Sequence, residues 1–129
     1  MLLRPKLIRI KQESKDTKDI YYVAYNSFYR DHKALFHVMK LQENYICKPS
    51  FDKKSICIQL TYTYVNNELM NRLLDQIEKC KDHLDKVAIV GVPVNERAYF
   101  TLKAKYKGSN LPPCQFFFNV DAANNWLHK

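Results

Sequence analysis

An α/β domain, built on a mixed, mainly parallel five-stranded sheet in the order β-β-α-β-α-β-α-β-α, is what this sequence predicts. Three observations carry the prediction. The first is the stretch from Lys86 to Leu102, KVAIVGVPVNERAYFTL. In it Val87 to Val90 form a short apolar run suited to a strand buried on both faces, Gly91 and Pro93 break the run, and Asn95 can cap a new helix. The second is that the same strand-then-helix unit occurs on either side, with Ile56 to Tyr62 and Asn66 to Leu84 before it, and Cys114 to Phe118 and Val120 to His128 after it. Strands joined by helices need crossovers, which make parallel neighbours, so strands at about 55 to 62, 86 to 91 and 114 to 118 should run parallel with the middle one central. The third is composition: two glycines against nine tyrosines and seven phenylalanines argue for an aromatic core and against glycine-rich phosphate loops.

Taken in order, Leu7 to Lys11 and Asp19 to Asn26 are rich in isoleucine, valine and tyrosine, and the polar QESKDTK between them suits the loop of an antiparallel hairpin. Asp31 can cap a helix in which Ala34, Leu35, Val38, Met39, Gln42 and Ile46 fall near helical spacing, and Pro49 stops it. The aromatic-basic run YYVAYNSFYR is a candidate stacking surface for unpaired bases, but alternation of Tyr21, Val23 and Tyr25 with Tyr22 and Ala24 is explained by sheet packing. SFDKK is a turn. In the strand Ser55 to Tyr62, residues Ile56, Ile58, Leu60 and Tyr62 point one way, and Ser55, Cys57, Gln59 and Thr61 the other. That less apolar face favours helices gathered mainly on one side of the sheet, or a position near its edge.

The clearest helix follows Asn66 and Asn67, with Leu69, Met70, Leu73, Leu74, Ile77, Cys80 and Leu84 in one stripe. The helix from Asn95 carries a stripe beginning at Ala98 and Leu102 and ends near Gly108. Pro112 and Pro113 lead into CQFFF, expected buried, and Asn119 and Asp121 start a terminal helix in which Ala123, Trp126 and Leu127 fold back, with Trp126 as the closing plug.

Length and charge narrow the classes. A chain of 129 residues reads as a single domain spanning 1–129. No apolar run approaches the ~20 residues of a membrane-spanning helix, and the amino terminus lacks the apolar stretch of a signal peptide, so a cytoplasmic protein is expected. Cys47, Cys57, Cys80 and Cys114 have no paired spacing, and reduced, buried thiols are expected before disulfides or metal. His32, His37, His83 and His128 are scattered, so no metal site is expected, nor any cofactor. The net charge of +8 is concentrated at the ends: residues 1–54 hold 12 basic and 6 acidic side chains, and 102–129 hold 4 and 1. Dispersal of the lysines among acids suits a solvated surface, with a polyanionic partner as the other reading.

The segments ICIQLTYTYVNNELMNRLLDQIEKC, KVAIVGVPVNERAYFTL and PPCQFFFNVDAANNWL resemble bacterial STAS-like, anti-sigma-factor-antagonist-like proteins, with Ala88, Val90, Gly91, Ala122, Ala123, Trp126 and Leu127 as the matching positions. The resemblance covers roughly two-thirds of the chain. It implies a β/α superhelix with helices stacked by right-handed crossovers. It also implies a regulator that docks on a kinase-like partner and carries a phosphorylated hydroxyl after the Ser55 to Tyr62 strand. Thr61 and Thr63 stand near that place, although the family's Asp-Ser pair is replaced by Asn66-Asn67.

Three functions follow as expectations. The first is a non-enzymatic regulatory or scaffolding module. It would hold a protein on loops 62–67, 91–97 and 118–121, through Tyr62, Thr63, Tyr64, Asn66, Asn67, Pro93, Asn95 and Arg97. The second is a nucleic-acid or anionic-lipid module using the basic, aromatic amino-terminal region. The third, an enzyme, lacks a nucleophile-base pair or metal set in those loops, where only hydroxyls, amides, Glu96, Arg97 and Asp121 stand; no catalytic residue is assigned.

Overall fold

The computed structural model of the protein describes residues 7–10, 20–49, 52–108 and 110–129. Its elements are β1 (Leu7–Ile10), β2 (Ile20–Ala24), α1 (His32–Ile46), β3 (Lys54–Gln59), α2 (Asn67–Lys79), a 3₁₀ turn (Lys81–His83), β4 (Leu84–Val90), α3 (Val94–Lys107), β5 (Cys114–Phe117) and α4 (Val120–Leu127). The expected hairpin loop at 12–18 and the basic residues at 1–6 lie outside the described residues. The α/β class and the parallel arrangement of the central strands stand as expected: β2, β3, β4 and β5 are parallel neighbours in chain order, and β1 lies antiparallel against β2. In register, Val23 stands beside Ile58, Ile58 beside Ile89, and Ile89 beside Phe116.

Each parallel crossover moves one strand over in the same direction. Right-handed connections therefore place α1, α2 and α3 on one face. The main core lies beneath them: Val23, Ile56, Ile58, Val87 and Ile89 from the strands, with Tyr25 and Leu60 just past the ends of β2 and β3, meet Leu35, Val38, Met39, Ile46, Leu69, Leu73, Ile77 and Phe100 from the helices. Buried Tyr25 ties this layer together. Its hydroxyl donates to Gln76 Oε1 at 2.6 Å, and Gln76 Nε2 donates to the Met39 carbonyl at 2.7 Å, so β2, α2 and α1 share one satisfied polar link inside an apolar layer.

α4 turns back over the opposite face and packs on β4, β3 and β5. Beneath it Ile20, Cys57, Ala88 and Val90 meet Ala123 and Leu127. This corrects the reading of β3 as a strand with one half-wet face. Lys54 to Ile58 are all buried, because the short terminal helix covers the residues whose alternation looked polar. β3 also ends at Gln59, three residues before Tyr62, and α2 ends at Lys79, five before Leu84, which instead opens β4.

The helix caps follow the residue types: the side chains of Asp31, Asn66 and Asn119 accept from the backbone N–H groups of Ala34, Leu69 and Ala122. α3 departs from expectation. Its cap is Pro93, which offers no side-chain acceptor, so Asn95 lies within the first turn. Phe100 is its one buried residue, set edge-on to Phe116 with ring centroids 5.3 Å apart, whereas Ala98 and Leu102 face solvent. β5 is an edge strand, so CQFFF is only half-buried and Phe118 is exposed. Among the described residues, no helix is long and apolar enough to cross a membrane.

Two of the cysteines also overturn the expectation of thiols. Cys47 and Cys80, each the residue capping the carboxyl end of its helix, form a disulfide with Cα atoms 5.0 Å apart. Its sequence separation of 33 implies that reduction should cost about 3–4 kcal/mol, on the loop-entropy argument. Denaturant unfolding with and without a dithiol measures it. Cys57 and Cys114 are free, and burial pushes their thiols up to about 11 and about 12, which keeps them unreactive.

Trp126 is not the plug. It is half-buried, tilted against Phe117 with the Lys86 ammonium 5.2 Å from its ring centroid, while Leu127 and Ala123 are fully buried. Leu127→Ala should therefore cost about 2–5 kcal/mol and Trp126→Ala less, about 1–2 kcal/mol. Urea unfolding of both variants checks the order; a larger loss for Trp126→Ala would reverse the assignment.

Candidate functional site

Parallel strands deliver the loops that follow them to one edge, here 25–31 after β2, 60–66 after β3, 91–93 after β4 and 118–119 after β5. The first two are zipped together. Ser27 N–H donates to the Thr61 carbonyl at 2.9 Å, Tyr29 N–H to Tyr62 at 2.9 Å, and Tyr64 N–H back to Tyr29 at 2.6 Å. The Thr63 hydroxyl locks the zip from beneath, donating to the Tyr25 carbonyl at 2.6 Å and accepting from Phe28 N–H at 3.2 Å. The tyrosine loop after β3 and the carboxyl end of YYVAYNSFYR, separate candidates in the sequence, are thus one surface.

The backbone of this surface is bent into conformations that side chains resist. Ser27, Tyr29 and Tyr62 have φ of 64°, 52° and 60°. Left-handed backbone costs a non-glycine residue roughly 1 kcal/mol or more, and such costs persist where the surroundings impose them. Two of the three residues are tyrosines, joined through their backbones, and both are in water, Tyr29 65 % and Tyr62 72 % exposed. Gly91 holds the neighbouring loop against them: its φ is 93°, and a Cβ there would lie 2.7 Å from Thr61 N.

Cations and rings fill in around the tyrosines. The Arg30 guanidinium lies 4.5 Å from the Tyr64 ring centroid, and the His32 ring stacks on Tyr64 at 5.8 Å. His32 Nε2 is 2.6 Å from the Tyr64 carbonyl, which can only accept, so the proton sits on Nε2. On the far side Arg97 donates through Nε to the Val92 carbonyl at 2.7 Å and lays its guanidinium 4.6 Å from the Phe118 ring centroid. Acids balance these cations: Glu68, Glu96 and Asp121 stand in the first turns of α2, α3 and α4. The edge is mixed in sign and rich in tyrosine and arginine.

Of the residues expected at the site, Tyr62, Tyr64, Asn67, Pro93 and Asn95 are exposed along this edge, and Arg97 is half-buried beneath Phe118. Asn66 caps α2 with its side chain and so serves the helix. Thr63 is buried with its hydroxyl engaged in both directions, so a phosphate there would have to open the zip; Thr61 is half-buried. Sequence reasoning placed the loop of Phe118 at this edge but missed Tyr29, Arg30 and His32 as members. The signal for them was that β2 runs parallel to β3, which sends its following loop to the same edge. Among the described residues no group of three or more histidine, cysteine or acidic side chains is placed to hold a metal ion.

Comparison with protein-family models, with curated proteins and with solved structures gives no match.

Gly91 is where the edge is most sensitive. Gly91→Ala meets both a strained φ and a backbone clash, so it should cost about 2–4 kcal/mol and loosen the zip of loops 25–31 and 60–66. Amide hydrogen exchange should show faster exchange at Ser27 and Tyr29; unchanged protection there would mean that the loops do not depend on Gly91.

Proposed function

We propose that this chain is a non-enzymatic regulatory or scaffolding module, STAS-like in its β/α superhelix, that holds a protein partner on the tyrosine-rich edge. The observation that carries the reading is that Tyr29 and Tyr62 are both exposed on strained backbone that hydrogen-bonds one to the other. Such conformations persist when function selects what they display. Tyrosine and arginine, the residues concentrated here, are those that dominate protein interfaces. The strand order supports a flat contact over a small-molecule pocket: β2 to β5 follow chain order without reversal, so the crevice that opens where strand order switches has no place to form. Mixed charge at the edge favours a protein over nucleic acid, whose phosphates call for one sign.

A kinase-like partner, with Thr61 as the more accessible of the two threonines for phosphorylation, belongs to this reading through the STAS-like resemblance. Cytoplasmic placement belongs to it through the same resemblance, whereas the Cys47–Cys80 bond weighs against that placement, because the cytoplasm keeps thiols reduced.

The test uses the strain itself. Asparagine accepts left-handed backbone more readily than tyrosine, so Tyr29→Asn with Tyr62→Asn should hold or raise the unfolding midpoint by up to ~4 °C while weakening partner capture by about 2 kcal/mol or more. Quantitative capture from native lysate, set beside thermal unfolding, reads both. Undiminished capture would remove the edge as the interface.

A further inference from the structure

α3 carries apolar residues on the wrong side. Val94, Ala98, Leu102 and Tyr106 recur every fourth residue and so form one ridge along the helix. The helix is anchored to the sheet through Phe100, which leaves the ridge in water: Val94 is 70 %, Leu102 54 % and Tyr106 80 % exposed. Phe118, 83 % exposed, adjoins the start of α3 through the Arg97 guanidinium. Among the described residues eight large apolar side chains are exposed; Val94, Leu102 and Tyr106 are three of them and lie along α3, and Phe118 stands where the loop edge meets the start of that helix. A contiguous apolar patch of this kind marks something that covers it.

The charges beside the ridge say what covers it. Lys103 and Lys105 are exposed, with no carboxylate partner among the described residues, whereas Lys107 is held by Asp75 at 2.7 Å and Glu78 at 3.5 Å. The only acid of the helix is Glu96, half-buried in its first turn. An occupant must therefore offer apolar depth and negative charge together. A second copy would bring the same lysines and a net +8 against their equals. Nucleic acid offers the charge but gives Val94 and Leu102 nothing to enter.

We propose that α3 lies on an anionic lipid surface, with Val94, Leu102, Tyr106 and Phe118 entering the boundary between headgroups and acyl chains and Lys103 and Lys105 meeting the headgroups. The binding is interfacial and uses neither Tyr29 nor Tyr62, so Tyr29→Asn with Tyr62→Asn leaves it intact.

Co-sedimentation with phosphatidylcholine vesicles, with and without phosphatidylserine, tests this. The protein should bind only the vesicles containing phosphatidylserine, and release as salt rises. Lys103→Glu with Lys105→Glu should weaken binding about tenfold or more, at ~1 kcal/mol per charge near the surface. Leu102→Ser with Tyr106→Ser should weaken it about tenfold through lost apolar insertion. All four substituted side chains are solvent-facing, and an unchanged unfolding midpoint confirms that the variants are folded. Three results would each overturn the proposal. One is no binding of the parent to phosphatidylserine vesicles. Another is loss of binding in the lysine variant alone, which means adhesion by charge. The last is light scattering that shows a dimer broken by the Leu102/Tyr106 variant, which assigns the ridge to a second copy.

Discussion

Every parallel connection in this chain steps one strand in the same direction, and a right-twisted strand feeds its helix back with one hand only. From that follow the crowding of α1, α2 and α3 onto one face and the dependence of the other face on whatever comes last. The cover on that face is the eight-residue α4. It suffices because the residues beneath it are small or slender: Ala88, Cys57 and Val90 let Ala123 and Leu127 settle close to β3 and β4. Tyr22, Phe117 and Trp126 close the margins as partly buried neighbours. Burial raises the Tyr22 hydroxyl to about 12, so the margin stays uncharged.

Stepwise strand order also shapes the edge. Loops that diverge around a reversal leave a cleft between them, whereas loops that follow in series lie shoulder to shoulder and bond to one another. Here the loop after β2 and the loop after β3 share three backbone hydrogen bonds and the Thr63 hydroxyl, and Gly91 lets the loop after β4 close on them. The backbone that displays these side chains is held by main-chain bonds and the Thr63 hydroxyl, so the ordering of this surface is completed on folding.

What the residues announced and what they concealed divide by the range of the interaction responsible. Asp31, Asn66 and Asn119 marked helix starts because capping is settled within three residues. The apolar run of β4 marked a central strand because burial on both faces leaves no room for alternation. The side of the sheet on which α4 lands depends on the whole topology, so Ser55 and Cys57 looked half-wet in the sequence and are covered in the fold. The α3 stripe was misread for a related reason: Phe100 and the ridge of Val94, Leu102 and Tyr106 lie on different sides of the helix, and only the neighbours show which side meets the sheet. Tyr29 joined the site because a strand's direction, which no local pattern states, carried its loop there. The pairing of Cys47 with Cys80 needed the ends of α1 and α2 to be adjacent, a fact of packing that spacing alone does not contain.

That disulfide has a mechanical consequence. It closes a covalent ring whose arc holds β3 and α2, the central strand and the most regular helix. Pulled from its two ends, the chain could lengthen through its hairpin, α1, α3, β5 and α4, while the 33 residues of separation in the ring would withhold roughly 3.5 Å each of contour. A protease cutting once between residues 48 and 79 would open the ring without parting the chain. The unit that organises the fold is thus also the part least able to be drawn out of it.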